Sequence, residues 1–129
     1  MNHAAGKTES SVTTVNITVN GKTVSSTADP MQRASDFLRA RGYPATKTGC
    51  DAGDCGACTV LINGEAACAC LVPVAQLDGC AVETAESDSS VLNVLREAFL
   101  TTGAAQCGIC TPRYVVGISC PVATRQAGR

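Results

Sequence analysis

One stretch limits this chain more than any other: Cys50-Asp51-Ala52-Gly53-Asp54-Cys55-Gly56-Ala57-Cys58, followed twelve residues later by Cys70. The whole chain carries nine cysteines in 129 residues. An odd count cannot close into a complete disulfide framework. Residues 1–14, MNHAAGKTESSVTT, hold neither an apolar core nor a twin-arginine pair, so no secretory signal is read and the expected compartment is the cytoplasm. Thiols stay reduced there, and clustered cysteines serve metals more often than disulfides. Gly49, Gly53 and Gly56 fit that use, because a backbone that wraps a metal group needs positions without side chains, some at positive φ. Their amides are available to donate toward sulfur.

The rest of the chain forms a frame for this loop. Val15-Asn16-Ile17-Thr18-Val19 alternates apolar and polar residues as a half-buried strand does. Asn20-Gly21 is a hairpin turn signal, with Lys22–Thr27 returning. Asp29 and Pro30 read as a helix start, and Met31, Ala34, Phe37, Leu38 and Arg41 keep helical spacing up to Gly42. Residues 59–62 and 66–71 form a second hairpin around Asn63-Gly64, with Cys70 on its far arm. Asp78-Gly79 precedes a last strand at 81–84. The expected fold class is α+β: a flexible N-terminus over 1–13, a sheet domain over 14–86, a helical segment over 87–112 with an apolar stripe from Val91 to Leu100, and an atypical tail over 113–129. Aromatic residues are 3% of the chain and Trp is absent, so Val, Ala, Leu and Ile must build the core. A net charge of −1 excludes a basic nucleic-acid footprint, and no apolar run approaches the length of a membrane span.

Cys50-x4-Cys55-x2-Cys58 with a distant Cys70 is the plant-type spacing for a 2Fe–2S cluster. The competing metal is zinc, held by Cys55-x2-Cys58 with Cys107-x2-Cys110. That alternative leaves Cys50, Cys70 and the glycines without a role. Cys68 and Cys80 fall outside either pattern and are expected to be small buried apolar residues.

The string Thr46-Lys47-Thr48-Gly49-Cys50-Asp51-Ala52-Gly53-Asp54-Cys55-Gly56-Ala57-Cys58-Thr59-Val60-Leu61 resembles the first-cluster signature of the small iron–sulfur subunits of the molybdenum hydroxylases. Gln106-Cys107-Gly108-Ile109-Cys110-Thr111-Pro112 resembles the start of their second-cluster motif. The two stand in the family's order, and the resemblance spans roughly residues 14–112. It implies a β-grasp ferredoxin domain followed by a small helical domain, here incomplete. It implies that Cys50, Cys55, Cys58 and Cys70 ligate the first 2Fe–2S cluster, that Cys107 and Cys110 are two ligands of a second, and that Gln106 lies in the motif facing molybdopterin. The implied role is electron relay, without substrate chemistry of its own, from a molybdopterin-containing large subunit to an FAD-containing flavin subunit or another acceptor. A stand-alone ferredoxin-like carrier, which needs only the first domain, and a zinc-binding structural protein are the alternatives.

The pattern stops after Pro112. The family continues with Gly-Met and later a Cys-x-Cys pair, whereas Arg113-Tyr114 follow here and Cys120 is the sole remaining cysteine. Residues 113–129 carry three Arg and no acid, against seven basic and eleven acidic residues before them. A truncated or frameshifted C-terminus is the expectation, with the second cluster in doubt. Of the other polar residues, His3 is expected to be solvated. Asp51 and Asp54 read as exposed carboxylates that make the loop more negative. Arg33, Arg39 and Arg41 read as one solvated helix face, and Lys47 as a partial offset to the cluster's charge.

Overall fold

A computed structural model describes the backbone of residues 11–127 and the side chains of residues 11–120. The expected flexible N-terminus and His3 therefore lie almost wholly outside the described residues. Strands β1 (Thr13–Val19), β2 (Lys22–Ala28), β3 (Thr59–Ile62), β4 (Glu65–Cys68) and β5 (Ala81–Glu83) make one sheet in the order β2-β1-β5-β3-β4. The β1–β5 pair is parallel and the other pairs are antiparallel. Asn20 and Asn63 take left-handed backbone, each followed by a positive-φ glycine, the two-residue turn whose twist suits a hairpin.

Alternation in β1 decides which face is covered. Val15, Ile17 and Val19 are buried while Thr14 and Asn16 are exposed. Helix α1 (Ala34–Ala40) lies on that face, with Ala34, Phe37 and Leu38 in a core shared with Val60, Val74, Leu77 and Val82.

Helix α1 starts later than Asp29-Pro30 suggests. Asp29 closes a turn instead: its Oδ1 accepts from the Met31 amide at 2.9 Å and its carbonyl from Gln32 at 3.0 Å. Residues 32–34 then pair with 72–74, through Ala34 N to Val72 O at 2.8 Å and Val74 N to Gln32 O at 2.9 Å. This pairing holds Arg33 extended (φ −65°, ψ 136°) and delays the helix. Met31, expected on the core face, is 73% exposed in consequence. The second hairpin also ends early. β4 stops at Cys68, and Ala69–Leu71 curl into a 3-10 turn that carries Cys70.

Helix α2 (Ser90–Thr102) is capped by Ser89, whose Oγ accepts from Leu92 N, and ends on Gly103 at φ 66°. Its stripe is only partly covered: Leu92 is buried, but Val94 and Leu100 are exposed. Helix α3 (Thr111–Ala127) runs through the stretch read as an atypical tail. Val115, Val116 and Ser119 are buried on one side of it, and it packs against α2, β3 and β4. Gly117 and Pro121, which weigh against a helix in the sequence, are outvoted by that packed face.

Candidate metal centre

The loop from Thr46 to Cys58 connects α1 to β3 with no regular structure of its own, so specific anchors must hold it. Arg39 donates through one Nη1 to the carbonyls of Pro44 (3.0 Å) and Thr46 (3.2 Å). Lys47 N donates to Ala57 O at 3.2 Å, closing the loop on itself. Arg33 pairs with Asp51 at 3.7 Å. Arg41 bonds Ser26 Oγ and lies over the Phe37 ring. The three arginines are exposed, as expected, but each is tied to a partner of its own.

Three amides converge on the first thiol. Ala52, Asp54 and Cys55 donate to Cys50 Sγ at 3.3, 3.2 and 3.3 Å, a wrap made possible by Asp51 at φ 55°. Ala57 N donates to Cys55 Sγ and Cys70 N to Cys58 Sγ, both at 3.4 Å. The amides aimed at sulfur belong mostly to alanines, Asp54 and the cysteines; among the glycines, the Gly53 amide acts on the Cys70 thiol. The glycines serve close approach. A Cβ on Gly49 would fall inside the radius of Cys55 Sγ, and one on Gly53 would strike Leu71. Gly53 and Gly56 also take positive φ, and Gly49 does not.

The 3-10 turn delivers the fourth thiol. Ala69 N bonds Cys58 O at 3.3 Å, which sets Cys70 beside Cys58. Cys50 interacts with Cys55, and Cys70 interacts with Cys58 and also with Cys50. Among the described residues no three Cys, His, Asp or Glu side chains gather on one point, as a single metal ion requires. Cys50 is exposed, Cys55 half-buried, and Cys58 and Cys70 are buried. The Cys55, Ala52 and Asp54 amides, in that order, hold the Cys50 thiol down from 9.0 to about 7. Burial first, then the Cys58 thiol, pushes Cys70 up. Cys68 and Cys80 are half-buried rather than core residues; their thiols donate to the carbonyls of Gly53 (3.8 Å) and Gln76 (3.4 Å) respectively.

Two predictions follow from this geometry. Gly49→Ala costs about 1–3 kcal/mol, because Cys55 Sγ must move to admit the methyl group. Gly117→Ala, in open space on α3 without positive φ, stabilises by about 0.4–1 kcal/mol. Urea unfolding of the metal-free chain measures both. The second concerns Cys50. At pH 7 about half of it is thiolate, against about 1% for a thiol at 9.0. The lower basicity weakens each thiolate, leaving a net labelling advantage of roughly fivefold. Iodoacetamide labelling read by peptide mass should rise at Cys50 with a midpoint near pH 7. Because the folded value is depressed, the stabilisation from these amides is full above pH 9 and lost as pH falls through about 7.

Comparison with known proteins agrees with this geometry. Residues 17–78 match the family described as the 2Fe-2S iron-sulfur cluster binding domain. The chain is 37% identical over 106 residues to the nicotinate dehydrogenase small FeS subunit of Eubacterium barkeri, covering 80% of this chain and 68% of that one. It is 35% identical over 125 residues to the xanthine dehydrogenase iron-sulfur-binding subunit of Escherichia coli O157:H7, covering 95% of this chain and 75% of that one. The chain belongs to the small iron–sulfur subunits of the molybdenum hydroxylases. Among solved structures, quinoline 2-oxidoreductase from Pseudomonas putida 86 superposes with a TM-score of 0.75 at 37% identity, covering 81% of this chain and 67% of that one. Aldehyde oxidoreductase from Desulfovibrio gigas gives a TM-score of 0.80 at 34% identity, over 87% of this chain and 13% of that one. The fold of this iron–sulfur subunit is thus the α+β ferredoxin-type β-grasp, extended by helices.

The iron–sulfur subunit's second motif is arranged differently from its first. Gln106, Cys107 and Cys110 are exposed on the loop before α3, where Gly108 takes φ 86° and Pro112 is buried in the first helical turn. Cys120 does not join them. It lies nine residues beyond Thr111, roughly 14 Å along the helix axis, and its thiol donates to Gly64 O at 3.4 Å. The motif supplies two cysteines, both exposed, against the four thiolates that a 2Fe–2S cluster takes. Sequence reading missed Arg113, whose Nη1 donates to Cys55 O at 2.8 Å across 58 residues. Its only signal in the sequence was the break in the family's Gly-Met pattern.

Proposed function

We propose that Cys50, Cys55, Cys58 and Cys70 hold a 2Fe–2S cluster and that this subunit relays electrons from a molybdopterin-containing large subunit toward a flavin subunit or another acceptor. The carrying observation is that the four thiols interact with one another within a loop whose backbone amides converge on their sulfurs. A binuclear cluster takes two thiolates at each iron, whereas zinc gathers four on one point. The donor set fits: all four ligands are soft sulfurs, and Gly49 leaves the room that Cys55 Sγ occupies. When bound, the cluster accepts and returns one electron at a time. The protein's part is to hold the charge change. Amides from Ala52, Asp54 and Cys55 stabilise the Cys50 thiolate, and those from Ala57 and Cys70 serve Cys55 and Cys58. Burial of Cys58 and Cys70 keeps water from these two sulfurs, while exposed Cys50 gives the site an edge for electron exchange.

Similarity to the xanthine dehydrogenase subunit runs over 95% of this chain, well past residue 86, and that supports a subunit over a stand-alone ferredoxin-like carrier. Cys107 and Cys110 are read as the remaining part of a second site, and Gln106 as the residue of that motif nearest a large-subunit cofactor. The domain limits at 86 and 112 belong to this same reading. Among the described residues no helix is long and apolar enough to cross a membrane. A cytoplasmic location is supported by cysteines that, among the described residues, form no disulfide.

The test is iron and acid-labile sulfide content, with electron paramagnetic resonance of the reduced full chain. About two irons and two sulfides per chain, with one rhombic signal, are expected. A colourless zinc protein overturns the reading.

A further inference from the structure

We propose that Arg113 is a positioning residue of the cluster loop, which it holds from the first turn of α3 through the Cys55 carbonyl while setting a positive charge beside the cluster that raises its reduction potential. The inference rests on the assignment of Cys55 as a ligand. It starts from a contact that nothing in the loop itself requires. Arg113 Nη1 lies 2.8 Å from Cys55 O. The Arg113 side chain also fills the space above Gly56: a Cβ there would meet its Cδ at 2.8 Å, its Nε at 2.9 Å and its Cγ at 3.2 Å. Gly56 is buried with φ 72°, so the guanidinium stem occupies the position where another residue would carry a side chain.

The contact sits in the middle of the ligand segment. Cys55 contributes Sγ on one side of its Cα and the bonded carbonyl on the other. The next turn is locked as well, since Gly56 O accepts from Thr59 N at 3.0 Å and from Thr59 Oγ1 at 2.5 Å. Arg113 thus fixes the Cys55–Gly56 peptide, and Thr59 fixes the following Gly56–Ala57 peptide, from which the Ala57 amide reaches Cys55 Sγ. Charge is the second consequence. Of the other cations that contact the loop through their side chains, Arg33 is offset by Asp51 at 3.7 Å and Arg39 bonds only its start, at the Pro44 and Thr46 carbonyls. Arg113 rests on a neutral carbonyl, so its charge is not cancelled at the contact. Reduction adds one negative charge to the cluster, and a nearby cation favours the reduced form. Arg113 follows Cys110-Thr111-Pro112 directly, so the same side chain links the second motif to the first site.

The experiment is a potentiometric titration of the full chain, reconstituted with iron and sulfide under anaerobic conditions and followed by electron paramagnetic resonance. Wild type, Arg113→Gln, Arg113→Lys and Cys55→Ser are compared. At the wild-type midpoint, Arg113→Gln is expected to lower the reduced-to-oxidised ratio about threefold, or about 30 mV at 59 mV per tenfold. Arg113→Lys, which keeps the charge, is expected to recover most of that shift. A side chain that only supports the fold changes cluster yield and leaves the midpoint alone. Arg113 is exposed, so its variants are expected to fold, and far-ultraviolet circular dichroism checks this. A glutamine variant with the wild-type midpoint overturns the proposal, and so does a lysine variant shifted as far as glutamine. A Cys55→Ser chain that keeps the wild-type spectrum overturns the ligand assignment as well, which separates the two failures.

Discussion

Cys55→Ser yields a folded chain that has lost its 2Fe–2S absorption. Serine is nearly isosteric with cysteine, so the backbone has no steric reason to rearrange. Its hydroxyl, however, is a hard and weakly acidic donor where a soft thiolate is needed. Changes outside the ligand set of a metal site already cost about 10–100-fold in affinity, so loss of a ligand should lower bound iron by more than about tenfold. The loop suffers more than the sheet. Residues 46–58 have only Thr46, Gly56, Ala57 and Cys58 buried, so metal binding supplies much of the order there. The core of Val15, Ile17, Val19, Phe37, Leu38 and Val82 does not touch that requirement. Hydrogen exchange should therefore quicken across 46–58 while β1, β2 and β5 remain protected. Cys68→Ser, changed beside the same loop, should keep the spectrum, because the Cys68 thiol faces Gly53 O. If Cys55→Ser retains the visible bands and Cys68→Ser loses them, the ligand set has been misassigned.

The sheet and the metal loop were legible in the sequence because both depend on local signals. Alternation in 15–19, Asn-Gly at 20–21 and 63–64, and the cysteine spacing each act within a few residues. The late start of α1 was not legible. It comes from 32–34 pairing with 72–74, two segments far apart in sequence, and that pairing overrides the N-cap signal at Asp29. The 3-10 turn that carries Cys70 was hidden for the same reason, since Cys58 fixes it across the hairpin. Helix α3 was missed because the family's pattern stops at Pro112, and the face that it buries among the described side chains is small: Val115, Val116 and Ser119. The arginines were misjudged as a group. At 3.6 residues per turn positions 33, 39 and 41 spread around the axis, only Arg39 lies within α1, and each finds its own partner in a loop or strand that propensity does not place. Arg113 is the extreme case, a residue that appears only as the end of a pattern yet contacts the backbone of a ligand 58 positions away.

Phe37→Ala should lower the stability of the metal-free chain by about 3–5 kcal/mol. Phe37 is the largest side chain that is fully buried, and aromatics are too scarce here for another to share its place. It lies under the sheet, with the Arg41 guanidinium 4.6 Å from its ring centre. Small domains are stable by only about 5–15 kcal/mol in total, so the loss takes a large share. The effect reaches the metal site through α1. Arg33 and Arg39 stand at the two ends of that helix and hold Asp51 and the Thr46 carbonyl, so loosening α1 releases both anchors. Binding the cluster favours the folded state by mass action, so iron and sulfide should recover part of the lost stability. Thermal melts of Phe37→Ala with and without reconstitution measure this: the metal-free melt falls by more than about 12 °C, and the reconstituted melt falls by less. In Cys55→Ser that dependence on iron disappears while the metal-free melt stays near wild type. The two variants thus separate the apolar core, which folds without metal, from the loop, which depends on it. A metal-free Phe37→Ala chain that melts with wild type would place the core elsewhere and detach α1 from the loop it anchors.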